Sequence, residues 1–281
     1  FFFCDCFFEG LKSSLRLSIS QQAYPAAAIH HNSEQAVIKC RFTPRAKIDK
    51  WPLFFRFSYV TGNTGMNTDY ARLQMVNQQV RGWNVYDERV LAMLRELPRE
   101  HFVPQGFESL AFADTAIPLG HEQCMMTPTI EGRVLQALGL QGGENVLEIG
   151  TGSGFMTACL AKLSAHVTSV DIYDDFVGSA RLKLEAAGID NVELMQMDAT
   201  QELPDGKFDA IAVTGSIQTF DPRYVEALGS HGRLFIVVGN EPAMEAKLIE
   251  RTNEHDWQTI SLFETDLPPL VHGALPPQFS F

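Results

Sequence analysis

The chain has 281 residues, 45% of them apolar and 20% charged, an ordinary balance for a globular protein of one or two domains. That composition excludes a largely disordered, collagen-like or coiled-coil chain; no apolar run nears the ~20 residues of a membrane span, and five scattered cysteines exclude a disulfide-stapled scaffold. The net charge of −12 is uneven, residues 1–65 being net basic and residues 66–281 strongly acidic, so no nucleic-acid partner is expected for the main body.

In chain order, Phe1-Phe2-Phe3-Cys4-Asp5-Cys6-Phe7-Phe8 opens a stretch without a sustained helical or strand period. Its apolar cluster precedes its basic residues, the reverse of a secretory signal. Lys12, Ser13, Ser14, Arg16, Ser18 and Ser20 fit a transit peptide better. The competing reading is that Met66-Asn67-Thr68-Asp69 is the natural start and that residues 1–65 are an over-extended gene reading outside the fold. The second reading is favoured, and residues 66–281 are expected to form one domain. Cys4 and Cys6 are too few for structural zinc, and no metal site is expected.

From residue 70 to 80 the pattern is helical, with Tyr70, Leu73, Val76, Asn77 and Val80 on one face. Asp87 suits the N-cap of a second helix carrying Val90, Leu91, Leu94 and Leu97. An irregular stretch follows, through Asp114, Pro118 and Gly120. Thr127 then caps a third helix, with Pro128 in its first turn and Ile130, Val134, Leu135 and Leu138 facing inward. Beyond residue 144, strands at 145–149, 166–171, 192–197, 208–214 and 233–238 alternate with helices at 155–163, 175–187 and 222–228. Segments 244–251 and 257–263 finish the pattern, the latter antiparallel. Repeated βα units with apolar strands predict an α/β fold, a doubly wound and mostly parallel sheet covered on both faces.

The most informative segment is Val146-Leu147-Glu148-Ile149-Gly150-Thr151-Gly152-Ser153-Gly154-Phe155, a strand running through a Gly-rich turn into a helix. Glycines serve where backbone turns sharply and approaches a ligand, and the helix start offers N–H groups to it. A dinucleotide fingerprint needs its third Gly one place later, and an acid at Glu148 is unusual for it; a nicotinamide enzyme is therefore the minor alternative. Acid-x-Gly-x-Gly-x-Gly resembles the first motif of class I S-adenosylmethionine-dependent methyltransferases. Asp171 ends the second strand, where a carboxylate can take ribose hydroxyls. Asp198 ends the third, where one can accept from an adenine amino group. Tyr173 and Phe176 are candidates to stack on the base.

The resemblance sharpens outside this loop. Met75-Val76-Asn77-Gln78-Gln79-Val80-Arg81, Asp87-Glu88-Arg89-Val90-Leu91 and Leu97-Pro98-Arg99-Glu100-His101-Phe102-Val103-Pro104 resemble the amino-terminal segments of protein-L-isoaspartate O-methyltransferases. Asp114, Val213-Thr214, Gly232-Arg233-Leu234 and a carboxyl-terminal strand at Leu267-Pro268-Pro269-Leu270-Val271 agree. The resemblance covers about residues 66–272. It implies a class I methyltransferase (Rossmann-like) fold with amino-terminal helices and a cytoplasmic enzyme. That enzyme would methylate the carboxylate of isoaspartyl residues in damaged proteins, with S-adenosylmethionine as donor. It places Glu148, Gly150, Thr151, Gly152, Ser153, Gly154, Asp171, Asp198 and Ala199 at the cofactor, and Gln123, Cys124, Met126 and Thr127 at the acceptor.

One motif departs. The family's substrate loop reads Gly-x-Gly-Gln-Thr-Ile-Ser-x-Pro; here the stretch is Gly120-His121-Glu122-Gln123-Cys124-Met125-Met126-Thr127-Pro128. Met126 replaces the Ser that would place the carboxylate, and Glu122 replaces a Gly. Three readings follow: an isoaspartyl enzyme using backbone N–H groups, Gln123 or Thr127 instead; a paralogue acting on another acceptor, with His121 or Glu122 as base for a neutral nucleophile; and a cofactor-binding module without turnover.

Overall fold

The computed structural model describes residues 68–240, 242–253 and 255–274, together with the backbone of three short strands nearer the amino terminus. The chain divides into two units, Phe1–Thr61 and Gly62–Phe281. In the first, β1 (Phe2–Phe7) lies between β2 (Leu15–Ile19) and β3 (Lys39–Arg41), antiparallel to both. Segments this short show no sustained period, which is why the sequence did not announce them. The proposed start at Met66 lies outside the described residues.

The second unit begins with helix α1 (Thr68–Gln74), continued by a wider π-helical stretch, Met75–Val80, and a 3-10 turn that ends at Asn84. The buried face is Arg72, Met75, Val76 and Val80, while Tyr70, Leu73 and Asn77 are exposed, so the face expected from a regular period is corrected. The physical reason is the winding: i→i+5 bonding shifts the face between Arg72 and Val80 away from a 3.6-residue repeat. Helix α2 (Glu88–Glu96) starts where Asp87 accepts from the Arg89 backbone N–H at 2.9 Å. The stretch read as irregular contains a hairpin, β4 (Ile117–Gly120) with β5 (Gln123–Met125). Helix α3 (Pro128–Leu138) follows at the predicted cap, Thr127.

The remaining strands are β6 (Asn145–Ile149), β7 (His166–Asp171), β8 (Val192–Gln196), β9 (Phe208–Ile217), β10 (Leu228–Asn240), β11 (Ala243–Arg251) and β12 (Trp257–Thr265). They form one sheet in the order β12-β11-β10-β9-β6-β7-β8. Pairs β8–β7, β7–β6, β6–β9 and β9–β10 are parallel, and β11 runs antiparallel to both β10 and β12. Strand β10 begins earlier than expected, because register shifts between Leu228 and Arg233 keep Gly229 and Gly232 inside the strand. The expected carboxyl-terminal strand at 267–271 is a single bridge, Ser216 with Pro269, flanked by bonds from Ser216 N to Pro268 O and Leu270 N to Ser216 O. Two prolines in that segment remove the ladder donors a full strand needs.

Consecutive strand residues serve opposite faces. Ala210, Ala212, Phe235 and Val237 join a core with α2, α3 and α4 (Phe155–Leu163), while Ile211, Val213, Leu234 and Ile236 join one under α6 (Arg223–Glu226). Both faces are covered, which explains the unbroken apolar runs. The chain proceeds from β6 outward to β8, then crosses back to β9. Between β6 and β9 the direction of travel reverses, and such a switch point opens a crevice at the strands' carboxyl ends.

Candidate active site

One cavity sits at that crevice. Its floor is the strand ends: Ile149 and Gly150 after β6, Val170 and Asp171 on β7, Met197 to Thr200 after β8, and Thr214 and Gly215 on β9. The Gly-rich loop forms one wall. Gly150 sits at φ 101, and a Cβ there would meet Thr214 Oγ1 at 2.3 Å, so only glycine fits. Gly154 starts α4 at φ 82, packed so closely on Ala180 that a Cβ would sit 2.9 Å from its methyl. Loop N–H groups are largely used within the fold, rather than left free for a ligand. Gly150 donates to Val170 O at 2.8 Å, Gly152 to Asp171 Oδ2 at 2.9 Å and Phe155 to Ser153 Oγ at 3.2 Å.

Of the residues expected at the cofactor, Gly150, Thr151, Gly152, Ser153, Asp171, Asp198 and Ala199 line this cavity. Glu148 and Gly154 do not line it and stand behind the loop. Glu148 is fully buried and accepts from Thr157 Oγ1 at 2.5 Å and Ser169 Oγ at 2.6 Å. Ser169 Oγ also meets the Thr151 hydroxyl at 2.7 Å. Burial pushes the Glu148 carboxyl up to about 8, against the pull of those two hydroxyls, which favours its protonated form. The chain from Thr157 to Thr151 braces the loop from below.

The two aspartates at the cavity differ in setting. Asp171 is pushed up by burial, opposed by the N–H groups of Gly152 and Tyr173. Asp198 is also partly desolvated, but hydrogen bonds from Thr200 and His272 outweigh this and hold its carboxyl below the usual range. His272 Nδ1 lies 2.8 Å from Asp198 Oδ2, and its neighbours Leu270 and Val271 line the cavity. Tyr173 and Phe176, on and beside helix α5 (Asp174–Ala186), add an aromatic edge with rings 5.4 Å apart.

The opposite wall is the β4–β5 hairpin. Leu119, Gln123, Cys124, Met125 and Met126 line the same cavity. Thr127 does not: its hydroxyl caps α3 at Ile130 N and meets Thr129 Oγ1 at 2.9 Å, beside Asp114. Thr127 instead lines an adjoining pocket with Cys124 and Met126. Burial, then the Asp266 charge, pushes the Cys124 thiol up, so it is not a ready thiolate. His121 and Glu122 form the two-residue turn, both left-handed at φ 51 and φ 59. Such a turn favours Asn-Gly, and side-chain-bearing residues there cost roughly 1–2 kcal/mol each.

Sequence reasoning missed what anchors the hairpin. Arg99, fully buried, grips Glu131 on α3 with Nε and Nη2 at 2.9 and 3.0 Å, and donates to Ala111 O at 2.6 Å and Met126 O at 2.7 Å. Its guanidinium also lies over the Phe155 ring at 5.3 Å. Lys183 on α5 ties Phe102 O at 2.9 Å to Ser153 O at 3.2 Å, joining the amino-terminal segment to the Gly-rich loop. The signal was the Leu97–Pro104 stretch, whose one buried cation had no evident partner in sequence. Met195 and Met197 pack against the core, and Met197 also reaches the cavity. Among the described residues no cluster of His, Cys, Asp or Glu is set to hold a metal.

Residues 71–274 match the family described as Protein-L-isoaspartate(D-aspartate) O-methyltransferase (PCMT). A protein-L-isoaspartate O-methyltransferase of Methanoculleus marisnigri is 37% identical over 202 residues, spanning 71% of this chain and 91% of that protein. Protein-L-isoaspartate O-methyltransferase 2 of Pelobacter propionicus is 35% identical over 207 residues, spanning 73% and 92%. A Plasmodium falciparum structure described as a protein-L-isoaspartate O-methyltransferase in complex with S-adenosyl-L-homocysteine superposes with a TM-score of 0.63 over 71% of this chain and 97% of that one. Its 20% identity makes the likeness one of fold.

Proposed function

The chain belongs to the protein-L-isoaspartate(D-aspartate) O-methyltransferase family, and from that premise we propose that it transfers a methyl group from S-adenosylmethionine to the side-chain carboxylate of isoaspartyl residues in damaged proteins. The observation that carries this reading is the single cavity shared by the Gly-rich loop and the β4–β5 hairpin. In this proposal Asp171 receives the ribose hydroxyls and Asp198 the adenine amino group, with Tyr173 and Phe176 against the base. Gly150, Thr151, Gly152, Ser153 and Ala199 shape the cradle, and a Cβ on Gly150 would collide with Thr214 in its floor. Glu148 and Gly154 support it from behind.

S-adenosylmethionine supplies an electrophilic methyl on a positively charged sulfur. The chain's own work is then alignment and exclusion of water, since a carboxylate is already ionised at pH 7 and no proton has to move. The described lining residues include neither Lys nor Arg. An incoming carboxylate would be held by neutral donors such as the Gln123 amide, which leave its charge available for attack. Cys124 and Met126 supply bulk rather than acid–base chemistry. Neither His121 nor Glu122 lines this cavity, so neither is placed as the base an amine acceptor would need, which favours a carboxylate. No helix among the described residues is long and apolar enough to cross a membrane; a cytoplasmic setting and damaged proteins as partners remain parts of the proposal.

The test offers methyl-labelled S-adenosylmethionine with an isoaspartyl peptide or its aspartyl twin. Base-labile label on the isoaspartyl peptide alone is the expected result. Absence of label, or base-stable label on another acceptor, would contradict it.

A further inference from the structure

The tip of the acceptor hairpin is strained in a way its own residues do not relieve. His121 and Glu122 both occupy left-handed backbone, at φ 51 and φ 59, in a connection just two residues long. Glu122 does not suit that backbone, and contacts outside the turn help to hold it closed. The His121 ring supplies three. It lies flat on Tyr173, centroids 3.9 Å apart and planes 10° apart; it meets Phe176 edge-on at 5.3 Å; and its Nε2 sits 3.0 and 3.2 Å from the two oxygens of Asp175.

Those partners belong to the start of α5, and Tyr173 and Phe176 line the cofactor side of the cavity. Gln123 and Cys124, just past the turn, line its acceptor side. Resting on the methyltransferase reading above, we propose that His121 is a positioning residue. Its ring clamps the hairpin tip to the start of α5, so that the acceptor wall and the cofactor wall close as one body. Occupation of the cofactor cradle is thereby felt at Gln123 and Cys124 without any contact between His121 and the reacting atoms.

The test follows amide exchange in residues 117–125 with and without S-adenosylhomocysteine, alongside its affinity and the kinetics on an isoaspartyl peptide. In the wild type, S-adenosylhomocysteine slows hairpin exchange. His121→Ala keeps the strained turn but removes the ring. It is expected to speed exchange and raise acceptor KM by about tenfold each, the most a lost ring contact usually costs. Exchange then no longer responds to S-adenosylhomocysteine, while its affinity and the saturated kcat stay near wild type. His121→Phe, which keeps the stack, restores much of the response, and Glu122→Gly, which relaxes the turn and keeps the ring, retains all of it. Unchanged acceptor KM and unchanged protection in His121→Ala would overturn the clamp. Failure of the wild type to bind S-adenosylhomocysteine would instead overturn the methyltransferase reading, and the clamp with it.

Discussion

The two walls of the cavity are held in place by different means. On the cofactor side, Glu148, Thr157, Ser169 and Thr151 form a buried hydrogen-bonded chain, Asp171 laces the loop through Gly152, and each of these contacts stays within β6, β7, the loop and the start of α4. On the acceptor side, a short hairpin with an unfavourable turn is pinned from outside, at its base by Arg99 and at its tip by His121. The first wall is preorganised by its own strands; the second borrows its shape from neighbours. A borrowed shape can be rewritten locally without disturbing the cradle, and the hairpin is where this chain departs from its family's pattern.

The harshest way to break that contrast is Arg99→Ala. It strands Glu131 as a buried unpaired carboxylate and frees the Met126 and Ala111 carbonyls. Loss of about 3–5 kcal/mol in urea unfolding is expected. Replacing both partners, Arg99→Met with Glu131→Met, should cost clearly less, because no buried charge is then left alone. Equal losses would show that the pair does not anchor the hairpin.

Asp171→Ala separates the walls more gently. Losing the charge-assisted bonds proposed to the ribose hydroxyls is worth roughly 1.5–3 kcal/mol, so S-adenosylhomocysteine affinity should fall by one to two orders of magnitude in calorimetry, with the circular dichroism spectrum unchanged. Asp198→Ala should weaken it less, since Asp198 braces only Thr200 and His272. Unaltered affinity in both would remove these carboxylates from the cofactor site.

The cofactor wall was legible in sequence because its residues lie in or beside regular elements. Strand period places Asp171 and Asp198 at carboxyl ends, and the glycines mark a loop whose contacts are mostly local. The pairings that shape the acceptor wall are not local. Arg99 and Glu131 are 32 residues apart, and His121 and Asp175 are 54. No periodicity encodes such pairs; they exist once the sheet has brought distant segments together. Glu148 illustrates the limit from the other side. Its position in the motif was plain, but whether it faced the ligand or the core depended on Thr157 and Ser169.

Glu148 gives the smallest and most specific effect. Its carboxyl is raised from the ordinary 4.5 to about 8 in the folded chain. The folded state therefore holds a proton that the unfolded state releases. The stability this provides is complete below about pH 4.5 and is lost as pH rises through about 8. Glu148→Gln, neutral throughout, removes that slope. Between pH 7 and 8 the wild type should lose about 1 kcal/mol relative to the variant. A pH-independent difference in urea unfolding would mean that Glu148 is ionised in the fold.

The central claim is that the cradle sets cofactor affinity, while the hairpin, clamped to it through His121, governs how the isoaspartyl acceptor is used. It is tested most directly by restoring the family's loop, Glu122→Gly with Cys124→Thr and Met126→Ser, and measuring variant and wild type side by side. S-adenosylhomocysteine affinity should agree within about twofold. Both proteins should esterify the isoaspartyl peptide, with kcat/KM higher in the variant by about tenfold, the worth of one hydrogen bond aimed at the acceptor. A large shift in cofactor affinity with acceptor kinetics unmoved, or no esterification by either protein, would contradict the account.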